Sequence, residues 1–312
     1  MDELFVCRQL VKRFGATRAL DNIDLSVQSD STVGLIGPNG AGKTTLFSLL
    51  CGHLRPTSGK VTVLGKHTDS STIKGRISLL PQDAGLFKGV SVFSQLELFA
   101  KLQGFNSKQA NSESIRVLDS LEIVDLGRHP PDALSFGQRK KVMIAQALIG
   151  KPELILLDEP TSGLDPVAAT EVRKLVKQLT RERNFIISSH NLAEIEDICK
   201  SVIILDKGKV RANCLISEFT DRDNYLTITL DCPPSSDIVS LFSDMQEIER
   251  IDLDSSSSEQ ILFYFNSENP DQLQIRILER LQKENLSVLD LSRGKALADE
   301  IINLVKGNRN KN

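Results

Sequence analysis

The sequence predicts an α/β fold followed by a smaller α+β domain, on three observations. A short apolar run, Val33–Ile36, leads through a glycine-rich stretch ending in Gly42-Lys43-Thr44 into a helical pattern, a strand–loop–helix unit. Further apolar runs at Ile77–Leu80, Leu154–Leu157 and Phe185–Ser188 have the length of buried strands and are separated by helical patterns. Near Thr220 the character changes to alternating strands and one amphipathic helix.

Taken in order, Leu4–Val11 and Ile23–Val27 read as strands, with Phe14 and Gly15 in a basic turn between them. Thr45–Cys51 is the helix after the glycine-rich stretch. Pro56–Gly59 is a turn, and Lys60–Leu64 a strand. From Ser91 to Gly150 the pattern is helical: Val92, Leu96, Phe99, Ala100 and Leu102, then Ile115, Leu118 and Leu121, then Val142, Ala145 and Ile149 recur at helical spacing as core positions. Ser135 is placed to cap the last of these helices. Val167–Leu179 is a second amphipathic helix, and Val202–Leu205 with Lys209–Asn213 makes a hairpin around Lys207-Gly208.

Beyond Thr220, Leu226, Ile228 and Leu230 alternate along a strand. Ile248–Leu253 and Ile261–Phe265 are two more strands, joined by the serine run Ser255–Ser258. Pro270 opens a helix with Leu273, Ile277 and Leu281 on one face; Leu286–Leu291 is a strand and Lys295–Val305 a closing helix. The polar tail, residues 307–312, reads as disordered.

The 312 residues suffice for two domains, each with its own core. A formal net charge of −3 offers no basis for a nucleic-acid partner. The scattered cysteines Cys7, Cys51, Cys199, Cys214 and Cys232 form no C-x-x-C pair, which argues against a zinc site and fits a reducing cytosol. The start, MDELFVCRQL, lacks a signal-peptide pattern, and no apolar run approaches the roughly 20 residues of a membrane span.

Residues Gly37, Pro38, Asn39, Gly40, Ala41, Gly42, Lys43 and Thr44 fit G-x-x-x-x-G-K-[ST] at every fixed position. Glycines let backbone N–H groups close around phosphates. Lys43 reaches the outer phosphates, Thr44 holds Mg²⁺, and the helix opening near Thr45 points its N–H groups at the anion. The plain alternative is a glycine turn with a solvated Lys43, and the strand-before, helix-after context argues against it. Asp158, at the end of a buried strand, is placed to hold Mg²⁺, and Glu159 to act as general base on water. His190 and Gln82 follow two further strand ends, His190 toward the γ-phosphate and Gln82 toward Mg²⁺ or water. Phe14 is either a core residue or a platform for a base, and the residues alone do not choose.

With these residues in place, the chain from about Leu4 to Asn213 resembles the ATP-binding subunits of ABC transporters. The matching motifs are Gly37–Thr45 (Walker A), Gln82 (Q-loop), Leu134–Gln138 (signature), Leu154–Glu159 (Walker B), Ser162–Asp165 (D-loop) and His190 (H-loop), in the family's order. The resemblance implies a phosphate-loop (RecA-like) ATPase core with an antiparallel β subdomain and a helical subdomain inserted at about 83–150. Residues 1–219 would form this ATPase domain and 220–306 an α+β accessory domain of the kind found on many exporter ATPases. It also implies hydrolysis of ATP with Mg²⁺ at an interface between two subunits, taken to be identical, where Ser135, Gly137 and Gln138 of one close over ATP held by the other. Phe14 stands where the family stacks adenine. A separate membrane-spanning permease is the implied partner, which would place this chain on the cytoplasmic face of the membrane. Other branches of the family give two alternatives, an importer ATPase and an ATPase acting on ribosomes or DNA. The single Walker A motif and the short 91–150 block disfavour the latter.

One residue departs from the family pattern. The signature is usually Leu-Ser-Gly-Gly-Gln, and here Phe136 replaces the first glycine. The expectation is that its ring packs into the helical block, contributing roughly 1.5–3 kcal/mol of apolar burial. Arg139, Lys140 and Lys141 are expected to add positive potential near the phosphates, with a solvated helix face as the alternative reading for Lys140 and Lys141.

Overall fold

The computed structural model describes residues 3–29, 32–181, 183–218, 225–234, 238–253, 259–267 and 269–293. The chain divides into two compact units, Met1–Cys214 and Leu215–Asn312. The expected closing helix, the serine run, the polar tail and the boundary residue Thr220 lie outside the described residues.

In the first unit, β1 (Glu3–Phe14), β2 (Thr17–Gln28), β4 (Ser58–Val63) and β5 (Lys66–His67) form an antiparallel sheet in the order β2-β1-β4-β5. A second sheet runs β10-β9-β3-β8-β7-β6, built from β3 (Thr32–Ile36), β6 (Ile77–Leu80), β7 (Leu154–Asp158), β8 (Asn184–Ser189), β9 (Ser201–Asp206) and β10 (Lys209–Leu215). Its inner strands pair in parallel, β3 with both β8 and β9, and β7 with both β6 and β8. Parallel strands covered on both faces must be apolar throughout, and every residue of β3 and β7 is buried.

Helix α1 (Lys43–Leu50) begins two residues earlier than expected and sends Leu46, Phe47, Leu49 and Leu50 into the core. That core also takes Leu4, Leu10 and Leu20 from the antiparallel sheet and Leu35, Leu156, Ile186 and Ile203 from the parallel one, so a single cluster joins the two sheets.

The helical block comprises α2 (Val92–Leu102), α3 (Ser107–Asp119) and α4 (Phe136–Ala147), with short turns of tighter helix over 124–128 and 131–133 between α3 and α4. Each helix starts on a side-chain cap, Ser91, Asn106 and Ser135 respectively. Two expected core positions are solvent-facing: Leu102 is 74% exposed in the last turn of α2, and Ile115 is 48% exposed on α3. Helical spacing finds the apolar stripe but does not say where a helix end leaves the core.

The strand β8 is followed by α6 (Leu192–Ile198), which the sequence reading misses. Its seven residues are too few for a periodic signal. This helix lies hard against β3: a Cβ on Gly34 would come within 2.2 Å of Ile195 Cγ2. Between β7 and β8 runs α5 (Pro166–Leu179), capped by Asp165, whose carboxylate accepts from the N–H groups of Val167 and Ala168 at 3.0 Å.

The second unit contains β11 (Tyr225–Leu230), α7 (Ile238–Leu241), β12 (Ile248–Leu253), β13 (Gln260–Phe265), α8 (Pro270–Lys283) and β14 (Val288–Arg293). Its antiparallel sheet has the order β12-β13-β11-β14, the ferredoxin-like βαββαβ arrangement. Alternate residues Leu226, Ile228, Leu230, Ile261, Phe263 and Phe265 meet Leu273, Ile277 and Leu281 of α8 in a core of its own. The last strand begins two residues later than expected, and α7, of only four residues, is absent from the sequence reading.

Candidate active site

The C-terminal ends of β3, β6, β7 and β8 lie together along one edge of the parallel sheet, where open α/β sheets bind ligands. The chain leaves β3 and turns through residues 37–42 into α1. Gly42 sits at φ 109 immediately before the helix, and a Cβ there would meet the Ala19 carbonyl at 2.7 Å, so only glycine closes this turn. A cleft of about 420 Å³ opens above it, lined by Phe14, Ala19, residues 38–45, Gln82, Asp158 and Glu159.

Lys43 is 7% exposed, and its Nζ donates to the Gly37 carbonyl at 2.7 Å and lies 3.6 Å from Glu159 Oε1. Thr44 Oγ1 donates to Asp158 Oδ2 at 2.7 Å, tying the first turn of α1 to the end of β7. The other Asp158 oxygen accepts from Ser188 Oγ at 2.5 Å. Ser188 also receives the Glu159 N–H on both its hydroxyl and its carbonyl, at 3.0 and 3.1 Å. That anchorage holds Glu159 at φ 50, a left-handed conformation that is uncommon for a residue with a long side chain. The Glu159 carboxylate is thereby aimed between two groups, Lys43 at Oε1 and His190 Nδ1 at 2.5 Å from Oε2. The His190 side chain is itself 65% exposed.

Phe14, half exposed at the end of β1, lines the cleft mouth, so of its two readings the core one does not hold. Lys12 Nζ lies 5.0 Å from its ring centroid. Gln82 is exposed just after the edge strand β6. Ser135, Gly137 and Gln138 do not line this cleft. Ser135 accepts from the Gln138 N–H at 3.2 Å, and Gln138 Oε1 accepts from the Ser135 N–H at 2.9 Å, a closed capping box on α4.

The expected burial of Phe136 is reversed, and of the two readings of Lys140 the solvated one does not hold. Phe136 is 67% exposed, with the Arg139 guanidinium 4.6 Å from its ring centroid, whereas Lys140 is buried. The buried face of α4 runs through Gly137, Lys140, Ile144 and Ala147, and Phe136 lies one position off it. Phe136 has an ordinary helical backbone, so its bulk meets no conformational barrier. Burial lowers the pKa of Lys140 from its ordinary value, opposed by the charges of Asp83 and Glu194. Lys141 pairs with Glu171 at 2.8 Å.

Sequence reading also misses Ser188, the residue that joins Asp158 to Glu159. Its signal is a pair of serines closing an otherwise apolar buried strand. No cysteine among the described residues lines the cleft, and burial pushes the thiols of Cys7 and Cys51 up to about 12 and also raises Cys199.

The family model described as ABC transporter matches residues 20–162, a span that holds Lys43, Gln82, Ser135, Asp158 and Glu159. The bacitracin transport ATP-binding protein BcrA of Bacillus licheniformis is 35% identical over 67% of this chain and 69% of its own. The lipopolysaccharide export system ATP-binding protein LptB of Haemophilus influenzae is 31% identical over 67% of this chain and 89% of its own. Among solved structures, cbiO1 of Clostridium perfringens, part of the ABC transporter complex cbiONQ, superposes with TM-score 0.64 at 29% identity, covering 70% of this chain and 90% of that one. A phosphate loop, a buried acidic strand end and relatives matched along most of their length agree: the chain belongs to the ABC transporter ATP-binding family and is an ATPase.

Proposed function

We propose that this chain powers export of a cargo through a separate membrane permease, hydrolysing ATP between two copies of itself. The observation that carries the hydrolytic part is Glu159, a carboxylate bracketed by Lys43 and His190 at the mouth of a phosphate loop. Lys43 meets the β- and γ-phosphates. Glu159 accepts the proton of the attacking water on Oε1, because Oε2 is engaged by His190. His190 orients that carboxylate, and Phe14 stacks the base. Thr44 and Asp158 place hard oxygen donors 2.7 Å apart in the cleft that Gln82 also lines, a set that suits Mg²⁺ with waters completing its shell. Thr44 and Asp158 would hold Mg²⁺, which when bound would offset the negative charge of the phosphates.

The position of Ser135, Gly137 and Gln138 in the first turn of α4, outside the cleft and with Ser135 exposed, supports their closing over ATP on a second subunit. Export is favoured by the relatives, among them the lipopolysaccharide export protein and a daunorubicin resistance ATP-binding protein of Streptomyces coeruleorubidus. The permease on another polypeptide and the place at the cytoplasmic face follow from the resemblance to transporter ATP-binding subunits; no helix among the described residues is long and apolar enough to cross a membrane. The second unit, which has a core of its own, acts as an accessory domain. Sedimentation of Glu159→Gln with ATP and Mg²⁺ tests the shared site. A nucleotide-dependent dimer is expected, and a monomer with ATP bound would overturn it.

A further inference from the structure

Directly after His190, the short helix α6 carries a carboxylate that the hydrolytic reading does not use. Glu194 is fully buried, and its Oε2 accepts from Ser189 Oγ at 2.6 Å and from Thr161 Oγ1 at 2.9 Å. Its Oε1 has no hydrogen-bond partner among the described residues. Burying a carboxylate with one oxygen unpaired is costly, and here burial raises its pKa despite the two hydroxyl donors and nearby Arg173. A core position on α6 could be filled by leucine at less expense, so the carboxylate is present for what it holds.

What it holds is two chain segments. Thr161 lies two residues beyond Glu159, in the turn closed by the Ser162 N–H to Glu159 carbonyl bond at 3.2 Å. Ser189 immediately precedes His190, and its hydroxyl also accepts the Asn191 N–H at 3.0 Å. We propose that Glu194 is a positioning residue: by clamping Thr161 and Ser189 it fixes the segment leaving Glu159 and the one entering His190, and so keeps the 2.5 Å Glu159–His190 contact in register. This rests on the reading of Glu159 as general base. His190 is mostly exposed on its own account, so little besides this clamp and its bond to Glu159 restrains it.

The test compares Glu194→Ala, Glu194→Gln and Thr161→Val, each measured for kcat, KM, ATP affinity and the imidazole NMR signal of His190. That signal is assigned among the four histidines with His190→Asn. Glu194→Ala should lower kcat about 10–100-fold, the loss typical of a misplaced catalytic group, while KM and ATP affinity stay within about twofold. The His190 signal should shift. Glu194→Gln keeps an oxygen that accepts from both hydroxyls and should recover most of the loss. Thr161→Val breaks one arm alone and should cost less, and combining it with Glu194→Ala should add little to Glu194→Ala. If Glu194→Ala does not fold, Thr161→Val carries the same test. An unshifted His190 signal with parental kcat in the folded variants overturns the proposal, and so does a rise in KM without a fall in kcat. Should Glu159→Gln hydrolyse ATP at the parental rate, the base assignment falls instead, and the His190 signal still reports whether Glu194 holds the pair.

Discussion

Lys43, Asp158 and Glu159 are 7%, 2% and 5% exposed, whereas Ser135 and Phe136 stand in solvent at the start of α4. The first group is organised by folding of one chain. Each residue sits at the end of a paired strand or on the helix that leaves one, and each polar atom is tied to another element, as Thr44 is to Asp158 and Asp158 to Ser188. The second group is satisfied by a capping box within its own turn and touches nothing beyond it that bears on the cleft. Groups of the first kind meet a ligand with little ordering left to do. If those of the second act only once another surface is brought to them, as proposed, affinity should depend on the buried half alone and turnover on both.

The largest expected effect lies in the buried half. Glu159→Gln should lower turnover about 10²–10⁴-fold, the range for loss of a general base, while ATP affinity by equilibrium dialysis is retained. Parental turnover would remove Glu159 from the chemistry. Next, Lys43→Ala should weaken ATP binding at least about 30-fold, as truncating one member of a buried charge pair does, and unchanged affinity would break the assignment of this half. Ser135→Ala should separate the halves: ATP affinity of dilute, monomeric protein is expected to be parental, with turnover of the concentrated protein reduced. Equal loss of both would show that Ser135 serves its own chain's cleft. The smallest effect belongs to Phe136→Gly. An exposed ring under an arginine should cost less than about 1 kcal/mol in urea unfolding, against the roughly 3–5 kcal/mol of a buried phenylalanine. A loss in the larger range would mean that the ring is core after all.

Much of the architecture is legible in the sequence, because the parallel strands are short apolar runs and the glycine-rich turn has one purpose. The alternating strands of the second unit are also readable, Ile248–Leu253 to the residue. What escapes is whatever depends on a third element. Phe136 is exposed and Lys140 buried because α4 presents its face through positions set by α5 and β6, to which its own pattern gives only a weak guide. Ser188 and Glu194 are polar residues in apolar company, and only the strand register beside them shows what they hold. The short helices α6 and α7 leave no period to detect.

Gly34 lies in the middle of β3, away from every charged group of the cleft, yet it decides how near α6 can come. A single methyl there would overlap Ile195, the neighbour of Glu194, and act as a wedge under the helix that begins two residues after His190. Inactivating changes in this protein should therefore arise on the sheet as readily as at its edge, through substitutions that alter no charge and no hydrogen bond. Such a variant would hold ATP normally and hydrolyse it poorly, a defect of alignment inherited from the thickness of the layer beneath.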